Sequence, residues 1–138
     1  MKLTNSGIQN RAQWEEKGYI LPSYDRAQMI AQTHKTPQWV HFGAGNIFRI
    51  FPAALAQELL NKQLIETGII VGEGFDYEII DEVFAKHDNL TLAVTLKSDG
   101  SIEKEVIASV ASAHKCDPQY ADEWAFFQAI FQAPTLQL

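Results

Sequence analysis

The chain has 138 residues, 46% hydrophobic and 20% charged, with 11 basic and 17 acidic residues and a net charge of −6. That length supports one domain with a sizeable core. No apolar run approaches the roughly 20 residues needed to cross a bilayer, and the scattered basic residues form no stripe to track a phosphate backbone, which argues against nucleic-acid binding.

The opening residues, MKLTNSGIQNRAQWEEKGY, lack the apolar core of a secretory signal. The single cysteine, Cys116, cannot make an internal disulfide, so a reducing cytoplasm is the expected location and an unreactive, partly buried thiol its expected state. His34, His41, His87 and His114 are too dispersed for a metal-binding spacing, so no metal is expected.

In chain order, residues 1–24 are polar with scattered aromatics and read as an irregular arm ending in LPSYD. Ser23 or Asp25 is placed to cap a short helix over residues 26–35, which Thr36-Pro37 terminates. Residues 1–36 form the arm and short helix, and residues 37–138 the body.

A short strand, WVHF at residues 39–42, runs straight into Gly43-Ala44-Gly45. From Asn46 onward Ile47, Ile50, Phe51, Ala54, Leu55, Leu59 and Leu60 recur at helical spacing. Pro52 is comfortable only in a first turn, so the spacing predicts a late helix start, near residues 48–50, over a kink. GIIVGEGF at residues 68–75 reads as a second strand. Asp76 is then the expected N-cap of a helix carrying Ile79, Ile80, Val83 and Phe84.

Residues 90–113 read as a β-hairpin turning at Asp99-Gly100, the first arm alternating Leu90, Leu92, Val94 and Leu96 with more polar residues. The last predicted helix has Asp117 as N-cap, Pro118 at its first position, and Trp124, Phe127, Ile130 and Phe131 on one face. APTLQL adds no closing element. The order strand, helix, strand, helix, hairpin, helix predicts an α/β fold: a Rossmann-like doubly wound sheet, incomplete at its carboxyl side, with an antiparallel hairpin addition.

Glycines between a strand and a helix let the backbone turn tightly and let its amides approach a pyrophosphate. Gly43 and Gly45 supply those two functions. The third glycine of G-x-G-x-x-G, which permits close helix packing, is replaced by Phe48. The acid that holds a ribose belongs at the end of the second strand. Glu73 and Asp76 are the candidates, 28 and 31 residues after Gly45 (73 − 45 and 76 − 45), and Asp76 is preferred for its place at the strand's edge. An acid there repels a 2′-phosphate, favouring NAD over NADP. Arg49 is either a phosphate ligand or half of a surface ion pair, and His41 reads as a hydrogen-bonded core residue. From these residues alone an S-adenosylmethionine-dependent methyltransferase and a non-catalytic nucleotide-binding Rossmann module stay open as rivals.

WVHFGAGNIFRIFPAALAQELL resembles the amino-terminal fingerprint of the mannitol dehydrogenase family, the long-chain polyol dehydrogenases that include mannitol-1-phosphate 5-dehydrogenases and fructuronate reductases. The family turn, G-x-G-N-I-x-R or G-x-G-x-F-x-R, matches Gly43, Gly45, Asn46, Ile47 and Arg49, with Ala44 and Phe48 between them. In several members a residue other than glycine fills the Phe48 position. The resemblance extends over residues 39–113 and implies an NAD(P)-binding Rossmann domain followed by a helical substrate domain. It implies hydride transfer between a secondary alcohol and a ketone, on a polyol or sugar acid, with a lysine as general base. No residue of this chain matches that lysine motif; Lys97, Lys104 and Lys115 are not candidates. The expected reading is therefore the dinucleotide-binding part of such an enzyme, without its catalytic residues and inactive alone.

Overall fold

Residues 1–24 are not the irregular arm that their polarity suggests. A 3-10 turn (Gly7–Gln9), helix α1 (Arg11–Glu15) and strand β1 (Tyr19–Ile20) order them. Their few apolar residues converge: Ile8, Trp14 and Leu21 bury against Leu90, Val106 and Ala108. The Trp14 indole donates to the Gly7 carbonyl at 2.9 Å. The structure, a computed structural model, describes residues 1–136, so the last two residues of the expected tail lie outside the described residues.

Helix α2 (Arg26–Lys35) is capped by Asp25, whose carboxylate accepts from the Gln28 N–H at 3.0 Å. Ser23 instead donates to the Asn61 side chain. Strand β2 (Trp39–Phe42) leads through the glycine turn into α3 (Asn46–Ile50) and α4 (Pro52–Asn61). The expected late start is corrected. The helix begins at once, at Asn46, and breaks at Phe51, which has φ −119° and ψ −73°. The break makes Pro52 the first residue of a new helix, where its missing N–H is not needed.

Strand β3 (Ile69–Glu73) pairs with β2 in parallel, from Trp39↔Ile69 to Phe42↔Gly72. The following helical segment is α5 (Tyr77–Ile79) loosened into a π stretch (Ile80–Phe84) and a 3-10 turn (Ala85–His87). Asp76 precedes it but makes no side-chain capping bond, contrary to expectation. Strands β4 (Thr91–Leu96) and β5 (Ile102–Ile107) form the expected antiparallel hairpin.

The second arm of that hairpin does not run to Ala113. The chain turns out of it at Ala108-Ser109, and β6 (Val110–Lys115) joins β3 in parallel. Two three-stranded sheets result, ordered β1-β5-β4 and β2-β3-β6, the second wholly parallel. The corner is fully buried and pinned by three side chains. Arg26 donates to the carbonyls of Ala108 and Val110 at 3.1 and 3.0 Å. The Gln57 amide oxygen accepts from the Ala108 N–H at 2.7 Å, and the Ser109 hydroxyl donates to the Ala53 carbonyl at 2.6 Å.

Helix α6 (Ala121–Ile130) starts after Tyr120, later than Asp117-Pro118 suggested. Asp117 serves the preceding turn, accepting from the Gln119 N–H and the Tyr77 hydroxyl at 2.8 and 2.6 Å.

Every β3 side chain is buried, and alternation sends them to both faces. Ile69 and Val71 meet Ala53 and Ala56 of α4, Phe48 of α3, and Ile80 and Phe84. Ile70 meets Phe127 and Ile130 of α6. Burial of each such aliphatic contributes roughly 1.5–3 kcal/mol. Helices therefore cover both faces of the parallel sheet, the α/β arrangement expected, with the hairpin and β1 as a separate mixed sheet.

Candidate functional site

The glycine turn leaves β2 at the carboxyl edge of the parallel sheet, where open α/β sheets place their ligands. Gly43 has φ +102°, a left-handed backbone that a side chain strains. Its N–H donates to the Gly72 carbonyl at 2.8 Å, so the turn is tied to β3 as it starts. Gly45 differs. Its φ is −69°, ordinary for any residue, and an added Cβ would meet no atom within 4 Å. Neither the fold nor the backbone requires glycine there. The bare position leaves an open cradle over the entrance of α3.

Phe48 does not close that entrance. Its ring turns inward, 5% exposed, into the cluster of Ala44, Ala53 and Ala56. One face lies on the His41 ring, centroids 4.2 Å apart and planes inclined by 17°. The close packing that a third glycine would allow is supplied one helix later by Ala53 and Ala56, both fully buried. His41 is thus held by stacking rather than by the hydrogen bond expected of it, and burial lowers its pKa.

Of the two candidate acids, Glu73 is the one turned into the turn. It is 7% exposed. One carboxylate oxygen accepts from the Ala44 N–H at 2.8 Å, and the other from Phe75 and Asp76 N–H groups at 2.9 and 3.3 Å. Burial pushes this carboxyl up, but main-chain N–H groups of Ala44, Phe75, Asp76 and Gly74 outweigh it and hold the pKa below the ordinary value. Asp76 is exposed at the exit of β3, with no capping bond.

Arg49 is not in the ion pair expected of a surface arginine. Among the described residues its guanidinium donates to the Asn46 side chain, its Nε is buried without a partner, and burial lowers its pKa. The exit of β3 is latched to that of β6 by the Tyr77 hydroxyl, whose bond to Asp117 pushes its pKa up to about 12. Burial, followed by the Asp117 charge, raises the Cys116 pKa, which keeps that thiol protonated.

Two hollows share Gly43. One of about 250 Å³ lies between Phe42, Gly43, Glu73, Gly74, Phe75 and Cys116. The other, of about 370 Å³, lies on the far side of the turn against His41, Gly45, Asn46, Ile47 and Pro52. Together they make a furrow across the turn, lined mostly by apolar surface on both its β3 and its α3 side. The predicted residues 43–49 line or support it in sequence, and Asp76 lies beside Phe75 at its β3 end. What the sequence reading missed is that Glu73 belongs to the main chain of both loops; its burial at a strand end was the unread signal. Larger hollows beside Ser23, Tyr24 and Asp25 lie away from this edge. No helix among the described residues is long and apolar enough to cross a membrane.

No protein-family model matches the chain. A D-mannonate oxidoreductase of Thermotoga maritima is 49% identical over 138 residues, which is 100% of this chain and 25% of the relative. A D-sorbitol dehydrogenase in substrate-free form matches the fold with a TM-score of 0.68 at 20% identity, covering 87% of this chain and 23% of that one. A mannitol 2-dehydrogenase of Pseudomonas fluorescens, in a ternary complex with NAD and D-mannitol, matches with a TM-score of 0.67 at 25% identity, covering the same 87% and 23%. The chain thus spans about a quarter of the length of these relatives. Along its whole length the chain is thus similar in sequence to part of a D-mannonate oxidoreductase, and in fold to part of two polyol dehydrogenases.

Proposed function

We propose that the chain supplies the dinucleotide-binding part of an NAD(P)-dependent oxidoreductase that interconverts a secondary alcohol and a ketone on a polyol or sugar acid. The observation that carries this is the open cradle at Gly45. A side chain is absent where the fold would admit one, at a strand-to-helix junction on the carboxyl edge of a parallel sheet. Main-chain amides can approach a diphosphate there without steric hindrance. NAD in the mannitol 2-dehydrogenase of like fold supports the choice of ligand. The 49% identity to a D-mannonate oxidoreductase supports a sugar acid as the substrate class.

In this reading residues 37–138 form the nucleotide unit, with residues 1–36 as its arm. Gly43, Gly45, Asn46 and Ile47 border the diphosphate. Ala44 and Phe48 support the turn from the core side, and Arg49, partly desolvated and among the described residues without an acidic partner, would add positive charge next to it. The exposed Asp76 at the exit of β3 would hold the ribose hydroxyls of the nucleoside end. The hollow beside His41 and Pro52 would be left for the hydride-accepting end. When bound, the dinucleotide supplies the hydride acceptor. The chain's own residues bind and orient it. Residues for proton abstraction have no match between 1 and 138.

Fluorescence titration with NADH and NADPH tests the reading. Saturable binding of NADH, tighter than NADPH, is expected, with no polyol or sugar-acid oxidation by the 138 residues alone. Absence of binding to either would refute it.

A further inference from the structure

Among the described residues, the Glu73 carboxylate is the one acidic group that bonds both loops bordering the furrow. Through Ala44 it holds the glycine turn after β2, and through Phe75 and Asp76 it holds the exit loop after β3. Phe75 itself is 95% exposed, so nothing else packs its side chain down. Cys116 of the β6 exit lies beside this loop, its N–H bonded to the Glu73 carbonyl at 2.7 Å. The Gly43 N–H bond to the Gly72 carbonyl ties the turn to β3, and the Tyr77 hydroxyl holds the Gly74 carbonyl and Asp117, but among the described residues Glu73 is the side chain that bonds the turn and the exit loop together.

From this geometry we infer that Glu73 is a positioning residue for dinucleotide binding, which fixes the spacing between the glycine turn and the ribose-side loop. The inference rests on the proposed reading of the site. Because the Ala44 N–H is committed to Glu73, it is withdrawn from the phosphate cradle. The diphosphate contacts then fall to the amides of Gly45 and its successors at the start of α3. Because both carboxylate oxygens are engaged by main chain, ribose recognition falls to Asp76, whose own N–H Glu73 holds in place. Glutamine is the informative replacement. It keeps the shape and one oxygen acceptor, but turns an NH₂ toward N–H donors on one side, so one of the two loops loses its anchor.

The test compares wild type with Glu73→Gln in two measurements on the same chain: NADH affinity by fluorescence titration, and residue-resolved amide hydrogen exchange without nucleotide. A loss of at least about tenfold in NADH affinity is expected, the scale of one lost charge-assisted bond. Faster exchange at Ala44, Phe75 or Asp76 is expected with it, while Gly68, whose N–H is held by Thr33 at the other end of β3, keeps its protection. Uniformly faster exchange would assign Glu73 a general structural role and overturn the inference. So would unchanged NADH affinity. If wild type binds no NADH, the proposed function fails, and unaltered exchange at the three amides then overturns the loop anchor as well.

Discussion

The Phe48 ring lies flat on the His41 imidazole, 4.2 Å between centroids, with its other side in the alanine-lined core beneath the glycine turn. This contact explains how the proposed dinucleotide turn tolerates an aromatic where the G-x-G-x-x-G motif has glycine. The first helix is cut to five residues, Phe48 anchors it from below, and the second helix brings small residues to the sheet. Writing the full motif with Phe48→Gly is therefore expected to destabilise the fold by about 3–5 kcal/mol, as for other buried aromatic truncations. Urea denaturation measures this; equal or higher stability would contradict the packing described.

Gly43 and Gly45 are expected to fail differently. Gly43→Ala forces a side chain into φ +102° and should cost about 1–3 kcal/mol of stability. Gly45→Ala enters open space at an ordinary φ, so stability should change by less than about 0.5 kcal/mol while NADH affinity falls. Thermal unfolding beside NADH titration separates the two; a Gly45→Ala variant that binds as wild type removes the cradle from the account.

Arg26 is buried, with Nε and Nη2 donors on Ala108 and Val110 and a further bond from Nη2 to the Asp88 carbonyl at 2.7 Å. Arg26→Met leaves two carbonyls at the sheet-to-sheet corner, and that of Asp88 before β4, without this donor. A loss of roughly 2–4 kcal/mol is expected, with exchange accelerated across residues 108–110. A near-neutral effect would show that the corner is held otherwise.

Acid should weaken the fold in two windows. Burial, and secondarily the His34 charge, lower the His114 pKa from 6.5 to about 4. The unfolded chain thus takes up the proton first, and this contribution is full above pH 6.5 and lost as pH falls toward 4. Glu73, with its folded pKa lowered, contributes above the ordinary carboxylate value and loses that contribution as pH falls through its folded pKa. Unfolding free energies measured across pH 7.5 to 3 should flatten in the upper window for His114→Gln and in the lower for Glu73→Gln. Unaltered slopes in both variants would contradict these assignments.

The strands β2 and β3 were legible because each is a short apolar run stopped by glycine, and α2 because Asp25 and Pro37 punctuate it. β6 was not, since Ala108-Ser109 contains no glycine or proline to mark the corner, and the Arg26, Gln57 and Ser109 contacts that hold it come from far along the chain. Ile8, Trp14 and Leu21 lie too far apart to show periodicity, so the arm's core was hidden. The glycine turn could be read from spacing. The commitment of Glu73 rather than Asp76 to that turn could not, because it depends on which way a strand-end side chain points.

The most direct measurement of the central claim is ¹⁵N-resolved NMR of the chain during titration with NADH. Saturating shifts centred on Gly43, Gly45, Asn46 and Ile47, with a second set at Phe75 and Asp76, are the expected result. Shifts centred instead on the hollow beside Ser23 and Tyr24, or none at millimolar nucleotide, would contradict a diphosphate cradle at the glycine turn.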